Sequence, residues 1–509
     1  MSAPFRNTLL RVATVALVAV APLAFGGCPG AESPDGSAPC SASAVKWMKR
    51  AADDYAHEDL DDANDSSKKA VEGCPDSPEI RTIAARIALA RLDFKTAAKA
   101  LEGVAGSEAA SLRARAFWYG DDLQHAAEEL ATALDDPDFK DPWAKKVQEL
   151  AGTQGSGRHP FEVREGGSRL VEVKMPRDLG YALMVPIEID GQPVMALVVT
   201  GVPEVILDSK ARSNPGWVSL KFTSTDHPDR TLEMRDVPAL VQDLTPYTAN
   251  QQVPIGALLG VNLLRRLHLT FDRRADQFIV RKEEPPPPPA MTRIPVTYVR
   301  GGGMVVRMTL KKDFELTSGF WVDTGSPWTL ALPDPTWKKI GIDPSGLASF
   351  GGSQHGKVTD VRLGGLDLGP VESLAAVSGV DEKLQQLDVE TAGAAGIQFL
   401  TAMRVTMADG GRMLWVETDE DTSSVLAPPL PLGGAGSVSP PPPPPPSTTS
   451  SATTSPSAKA TTVGTSTGTA SSAPTPKATV TSAPSLKASG SNPPAPKPKP
   501  TTSSSSAKK

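Results

Sequence analysis

Hydrophobic and polar residues follow two different patterns along the chain, and the change falls in a glycine-rich polar stretch at residues 151–168. Between residues 41 and 150 the chain is rich in alanine and charged residues and lacks alternating apolar runs, which favours helices. After residue 168 apolar and polar positions alternate, for example over 170–173 and 182–189. A period of two residues is that of a half-buried strand. The pattern therefore predicts a helical region followed by β structure.

Three segments of the helical region, at 59–63, 93–101 and 122–130, share a leading aspartate followed by small alanines. The last two are about 29 residues apart (126 minus 97), which resembles the spacing of tetratricopeptide-type helical hairpins. The resemblance implies a concave surface for peptides or partner proteins. The alternative is a plain helical bundle that spaces the next domain from a membrane.

The β region repeats its own order of elements on either side of a proline run at 285–289. In each half an apolar strand ends in Thr-Gly, at 200–201 and 324–325, and an apolar-apolar-Gly element follows, at 258–260 and 394–396. A final hairpin then closes each half. This order predicts an internal duplication of an all-β unit of about 110 residues, joined by a stiff proline connector.

The two halves differ at the residue that comes before Thr-Gly. The second half delivers a carboxylate to a tight turn in Asp-Thr-Gly-Ser at 323–326, where glycine lets the backbone fold back. The first half has valine at the same place. The candidate site residues are Asp323, Thr324 and Gly325, and their degenerate counterparts are Val199, Thr200 and Gly201.

With these paired motifs, the chain resembles the retropepsin-like and pepsin-like aspartic peptidases over about residues 180–417. The resemblance implies a duplicated acid-protease-like barrel in which each lobe contributes one aspartate. Two such carboxylates share a proton, so that one acts as a general base on water and the other as an acid toward the peptide carbonyl. Asp323 would be catalytic, Thr324 would support the loop, and Gly325 would permit its turn.

Val199 departs from this family pattern because valine neither accepts a proton nor orients a water. Val202, where a small residue is usual, and Asn262, where bacterial relatives often carry aspartate, are further departures. Three interpretations stay open. Two copies of the second lobe could form a homodimer with two Asp323 residues as the dyad, or the chain could be a pseudo-enzyme whose cleft binds extended peptide. It could also be a structural module, with Asp323 only capping backbone amides of its turn.

Composition excludes several other functions. The chain has 509 residues and a net charge of -6, but the segment from residue 427 onward carries seven lysines and no acidic residue, so the rest is near -13 (-6 minus 7). That balance argues against nucleic acid as a partner of the folded part. Only three cysteines occur and no His/Cys cluster, so neither a metal site nor a cofactor is predicted.

Residues 1–27 look like an export signal, with Arg6 and Arg11 ahead of an apolar segment. The residues before Cys28 resemble a bacterial lipobox, which implies a lipid-anchored protein of the cell envelope, facing the periplasm or in the outer membrane. Export would place Cys40 and Cys74 in an oxidising compartment, where a disulfide is plausible. From residue 427 the chain consists almost entirely of Pro, Ser, Thr, Ala, Gly, Val and Lys, a composition typical of disorder.

The predicted organisation is therefore a multidomain α + β chain. Its segments are a signal peptide (1–27), a linker (28–40), a TPR-like helical region (41–150), a degenerate first lobe (168–284), a proline linker (285–290), a second lobe (291–418) and a disordered tail (427–509).

Overall fold

A computed structural model describes residues 40–418, except 153, 178, 180, 249–252 and 351–352. The predicted export signal, Cys28 and the C-terminal tail lie outside the described residues. Within the described part of the chain, no helix is both long and apolar enough to cross a membrane. Helices come first and strands follow, so the mixed α + β class predicted from the sequence is confirmed.

Between residues 40 and 152, seven helices form the first part of the described structure. They are α1 (Ala42–Ala56), α2 (Leu60–Gly73), α3 (Pro78–Ala90), α4 (Phe94–Ala100), α5 (Ser107–Tyr119), α6 (Leu123–Leu134) and α7 (Pro142–Ala151). Six of them begin at a side chain that accepts a hydrogen bond from a backbone N–H of the first turn. Such N-caps satisfy amides that have no partner inside the helix. The capping residues are Ser41, Asp59, Ser77, Asp93, Asp122 and Asp141.

The aspartate segments singled out in the sequence are the starts of α2, α4 and α6. In each case the residue before the capping aspartate has a left-handed backbone, and these residues are Glu58 (φ 56°), Leu92 (φ 58°) and Asp121 (φ 67°). A single left-handed residue turns the chain sharply between two helices. The helices therefore form three hairpins with the same turn, which are α1–α2, α3–α4 and α5–α6.

The first β lobe follows a short strand β1 (Glu162–Val163). Its elements are β2 (Leu170–Lys174), β3 (Met184–Ile189), β4 (Gln192–Val198), β5 (Val205–Asp208), β6 (Gly216–Thr223), β7 (Thr231–Gln242), α8 (Thr245–Thr248), β8 (Ala257–Leu259), α9 (Val261–Leu264), β9 (Thr270–Asp272) and β10 (Gln277–Arg281). Six of its strands run in the order β7-β5-β8-β4-β3-β6, and the pairing of β6 with β7 closes this sheet on itself. A closed sheet leaves few unpaired backbone groups at its edges.

The second lobe begins after the proline run. Its elements are β11 (Thr292–Val299), β12 (Gly303–Lys311), β13 (Glu315–Asp323), β14 (Leu330–Ala331), α10 (Asp334–Lys339), β15 (Ala348–Phe350), β16 (Ser353–Val358), β17 (Asp360–Leu363), β18 (Leu366–Asp367), β19 (Val371–Ala375), α11 (Val380–Gln385), β20 (Thr391–Gly396), α12 (Ile397–Thr401), β21 (Arg404–Ala408) and β22 (Met413–Glu417). Short 3₁₀ turns occupy Pro344–Gly346 and Asp409–Gly411.

One antiparallel sheet joins the two lobes, in the order β11-β22-β21-β9-β10-β2. The junction is the pair β9–β21, where Thr270 faces Thr406 and their hydroxyls are 2.7 Å apart. A single hydrophobic core continues through both lobes and includes Phe278, Val296 and Phe399. The lobes are therefore one packed body, which fixes the position of the two motif loops.

Candidate functional site

The strand that carries each motif lies beside the apolar-apolar-Gly strand of its own lobe. In the second lobe β13 pairs in parallel with β20, and Asp323 is in register with Gly396. In the first lobe β4 pairs in parallel with β8, and Val198 is in register with Leu259. The structure thus brings together, twice, the two motif elements that are far apart in the sequence.

The two motif loops then meet each other through four buried hydrogen bonds. The Thr200 backbone N–H donates to Thr324 Oγ1 (3.0 Å), and the Thr324 backbone N–H donates to Thr200 Oγ1 (3.2 Å). Each hydroxyl also donates across the interface, Thr200 to the Val322 carbonyl (2.8 Å) and Thr324 to the Val198 carbonyl (2.7 Å). The threonine side chains are 2% and 1% exposed. Both hydroxyls are therefore fully used within one chain.

Each motif glycine lies against the residue that begins the motif of the other loop. A side chain at Gly325 would meet Val199, whose Cγ1 is 2.9 Å from the position of an added Cβ. A side chain at Gly201 would collide with the carboxylate of Asp323. Val199 and Asp323 consequently occupy corresponding positions on the two sides of the interface, and both glycines are required for this close approach.

Asp323 is engaged by its own turn. The Gly325 backbone N–H donates to Oδ1 (3.0 Å), and the Ser326 hydroxyl donates to Oδ2 (2.6 Å). Burial raises the pKa of Asp323, whereas these hydrogen bonds and the charge of Lys383 act in the opposite direction. Burial favours the neutral carboxyl, and donors favour the carboxylate. The site thus offers one titratable carboxyl group.

The acidic residues that follow Val199 in the chain do not supply a second carboxylate beside Asp323. Glu204 points to the helical region, where it accepts hydrogen bonds from the indoles of Trp118 (3.0 Å) and Trp143 (3.2 Å). Asp208 ends β5, and its carboxylate accepts the backbone N–H groups of Lys210 and Leu244. A general base and a general acid must both reach the reacting atoms, and these two carboxylates are committed elsewhere.

Aromatic and basic groups surround Asp323. The Lys383 ammonium lies 5.3 Å from the centre of the Trp321 ring, a distance at which a cation interacts with the ring. Burial raises the pKa of the Tyr247 hydroxyl, and the charge of Asp323 raises it further. Among the described residues, no group of three or more His, Cys, Asp or Glu side chains is placed to hold a metal ion.

Glu204 was not among the site residues predicted from the sequence. It is 2% exposed, and besides the two indoles it accepts a hydrogen bond from the Asn262 amide (3.4 Å). Burial raises the pKa of Glu204, whereas the hydrogen bonds from these three donors act to lower it. Asn262 in turn accepts from Arg265 Nη2 (2.6 Å), which also donates to the Tyr119 carbonyl (3.3 Å), so Asn262 helps to join the first lobe to the helices. A glutamate inside the apolar run 202–207 is the signal that could have revealed this role.

The remaining predicted residues lie away from the motif loops. Cys40 and Cys74 are joined by a disulfide that links the start of α1 to the end of α2. Ser353–Val358 pairs with β15 and β19 as an ordinary strand, and residues 351 and 352 lie outside the described part.

Comparison with protein-family models finds no match, and comparison with curated proteins finds none. Solved structures similar to this chain include a retropepsin-like aspartic protease from Rickettsia conorii, with 15% identity and a TM-score of 0.20, covering 25% of this chain and 91% of that one. An aspartic proteinase from Irpex lacteus shares 12% identity with a TM-score of 0.32, covering 50% and 99% of the two chains. Basic 7S globulin from soybean shares 11% identity with a TM-score of 0.32, covering 51% and 97%.

Proposed function

We propose that the β lobes are a duplicated unit of the aspartic-peptidase type without a catalytic dyad, and that their cleft binds extended peptide segments without cleaving them. One observation carries the proposal: four hydrogen bonds join the two motif loops, two between Thr200 and Thr324 and two from their hydroxyls to the Val322 and Val198 carbonyls, with Val199 on the side opposite Asp323. The mechanism needs two carboxyl groups that share a proton. Asp323 alone lacks the acid or the base.

The repeated strand pairing supports the duplication. A motif strand in parallel with an apolar-apolar-Gly strand occurs as β4–β8 and again as β13–β20. A short strand also pairs antiparallel with the apolar-apolar-Gly strand in both lobes, as β5–β8 and β14–β20. The final hairpins of the two lobes, β9–β10 and β21–β22, lie side by side through the pairing of β9 with β21.

A homodimer that pairs two copies of the second lobe is disfavoured by the same contacts. It would have to break the four threonine hydrogen bonds and the β9–β21 pairing before Asp323 could face its copy. Buried polar groups that lose a partner cost about 1–3 kcal/mol each. The intramolecular arrangement therefore competes directly with the dimeric dyad.

Apolar side chains near the two motif loops support a peptide ligand. Tyr247 and Val202 are partly buried against the cluster that contains Val199, and Trp328 and Val377 against the cluster that contains Trp321. Ligand sites typically combine such apolar walls with a few polar groups that fix orientation. Main-chain hydrogen bonds from an extended peptide would supply affinity, and the apolar walls would supply side-chain preference.

We further propose that the helices form a TPR-like array, which the shared turn of the three hairpins supports. Its contacts with the lobes, through Trp118 and Trp143, argue for an integral part of the fold and against a simple spacer. Export and lipid attachment at Cys28 are likewise proposed from the sequence alone. Mass spectrometry of the membrane fraction is expected to show a lipid-modified N-terminal cysteine, and Cys28→Ser should abolish the modification.

The central experiment asks whether the wild-type chain turns over peptides. We expect purified protein, incubated with a diverse peptide library between pH 3 and 7, to retain a subset of peptides that mass spectrometry finds uncleaved. The variant Val199→Asp, with Val202→Ser to supply the missing hydroxyl donor, should gain cleavage because two carboxylates then face each other. Adding Asp323→Asn to that variant should remove the cleavage again.

Two results would overturn the proposal. Cleavage of several peptides per wild-type chain that is lost in Asp323→Asn would establish a working peptidase, and its oligomeric state would then test the dimeric dyad. Failure to retain any peptide would exclude the binding function and leave the structural-module interpretation.

A further inference from the structure

The left-handed residues of the three helical hairpins all face the β lobes. Asp121 forms a bidentate ion pair with Arg266 of the first lobe, at 2.7 and 2.8 Å. Leu92 packs against the core that continues through both lobes. Glu58 lies against Gly319 in β13, the strand that ends at Asp323, so close that a side chain at Gly319 would collide with its carboxyl group. Asp121 thus meets an opposite charge and Leu92 meets apolar side chains, whereas the carboxyl group of Glu58 lies against a glycine.

Glu58 is buried without a hydrogen-bond partner. It is 7% exposed, and neither carboxyl oxygen makes a hydrogen bond. The Gly319 backbone N–H is close enough to oppose the rise in the pKa of Glu58, but it forms no hydrogen bond with the carboxyl group. The comparison within the same interface is Glu204, also buried, which has three donors. An unpaired buried carboxylate is costly, whereas a neutral carboxyl group is far less so.

The surroundings do not neutralise a charge at Glu58. The charges of Arg307 in β12 and Glu390, the residue before β20, act on Glu58. These two residues also approach charged groups near the α1–α2 turn: Glu390 lies 3.7 Å from His57, which lies 3.8 Å from Asp53, and Arg307 approaches Asp59. Arg307 lies 3.7 Å from Asp59 and is shared with it. A neighbouring group consists of Tyr55, Asp388, Arg300 and Arg86. Burial raises the pKa of Glu58 to about 8, with Arg307 opposing and Glu390 reinforcing the shift.

We propose that Glu58 is a pH-sensitive latch between the helical region and the second lobe. With a neutral carboxyl group, the end of α1 stays docked on β13. Ionisation leaves an unpaired charge in the interface and releases this contact, while Glu204 and Asp121 keep the helices attached to the first lobe. The latch acts on the strand that positions Asp323, and it does not depend on what the cleft binds.

The test is amide hydrogen exchange of residues 315–321 in the full chain at pH 6 and pH 9, corrected for the intrinsic rates. Exchange in the wild type should accelerate at pH 9 by at least about tenfold. By linkage, a pKa moved from 4.5 to about 8 permits up to about a hundredfold between these pH values. Glu58→Gln, and Glu58→Met if the first variant folds poorly, should exchange equally slowly at both pH values.

Glu204→Gln is the matched control, because it alters a buried carboxyl group at the other lobe. It should leave the pH response of residues 315–321 as in the wild type. An unchanged pH response in Glu58→Gln, or no response in the wild type, would overturn the proposal. Amide exchange of residues 315–321 is measured without peptide, so this test is independent of peptide binding and cleavage.

Discussion

The variant Thr324→Val tests whether the crossed threonines join the two lobes. Valine keeps the shape of threonine but removes its hydroxyl. The Val198 carbonyl then loses the donor at 2.7 Å, and the Thr200 backbone N–H loses the acceptor at 3.0 Å. Each group would be left buried without a partner, at about 1–3 kcal/mol apiece. We expect a loss of about 3–4 kcal/mol in the free energy of unfolding.

Urea unfolding, followed by tryptophan fluorescence, measures this loss as a shift in midpoint at unchanged slope. Thr324→Ser is the control, since serine retains the hydroxyl and should cost far less. Thr200→Val removes the other two bonds, so the double variant should cost about the sum of the two single variants, and any departure from that sum measures the coupling between the two loops. A loss below about 1 kcal/mol for Thr324→Val, or equal losses for valine and serine, would refute the hydrogen-bond argument.

Three further predictions concern stability. Glu204→Ala should lower the free energy of unfolding by at least about 3 kcal/mol, because three buried donors lose their acceptor, and Glu204→Gln should lower it less; urea midpoints distinguish them. Cys40→Ser should cost about 3–4 kcal/mol, since the disulfide to Cys74 closes a 34-residue separation, and added reductant should reduce the wild type to the level of the variant. Asp323→Asn should raise the melting temperature at pH 7 but not at pH 3. The folded-state pKa of this carboxyl group is raised, so its stabilising contribution exists at low pH and is lost as pH rises through that pKa. Equal shifts at both pH values would contradict this reasoning.

The helical region contacts both β lobes and therefore contributes to the stability that these experiments measure. Its contacts reach the first lobe through Glu204 and Arg266, and the second lobe through Glu58 and Asp388. Variants in the helices are therefore expected to change the stability of the β lobes. Truncation to the lobes alone would expose Trp217, which packs with Trp118 at a ring separation of 6.2 Å.

The order of the parts could be predicted from the sequence alone. Alanine-rich periodic segments and alternating strands predict helices followed by a β region, because both patterns reflect which face of an element is buried. The aspartates at the starts of α2, α4 and α6 were visible as a repeat, since capping is a local interaction. The loss of a carboxylate at Val199 was also readable, because it needed only a comparison of two motifs.

The contacts of those motifs, by contrast, follow from the folded arrangement of the lobes and helices. That Thr324 bonds to Thr200 of the same chain depends on the packing of two lobes through a shared sheet, and sequence spacing contains no such information. The same is true of Glu204 and Glu58, which look like ordinary charged residues in the sequence. The environment of Glu204 arises from helical residues 61 and 86 positions away, and that of Glu58 from a strand more than 200 residues away. Burial and partners are long-range properties, so the chemistry of both glutamates appears only once the chain has folded.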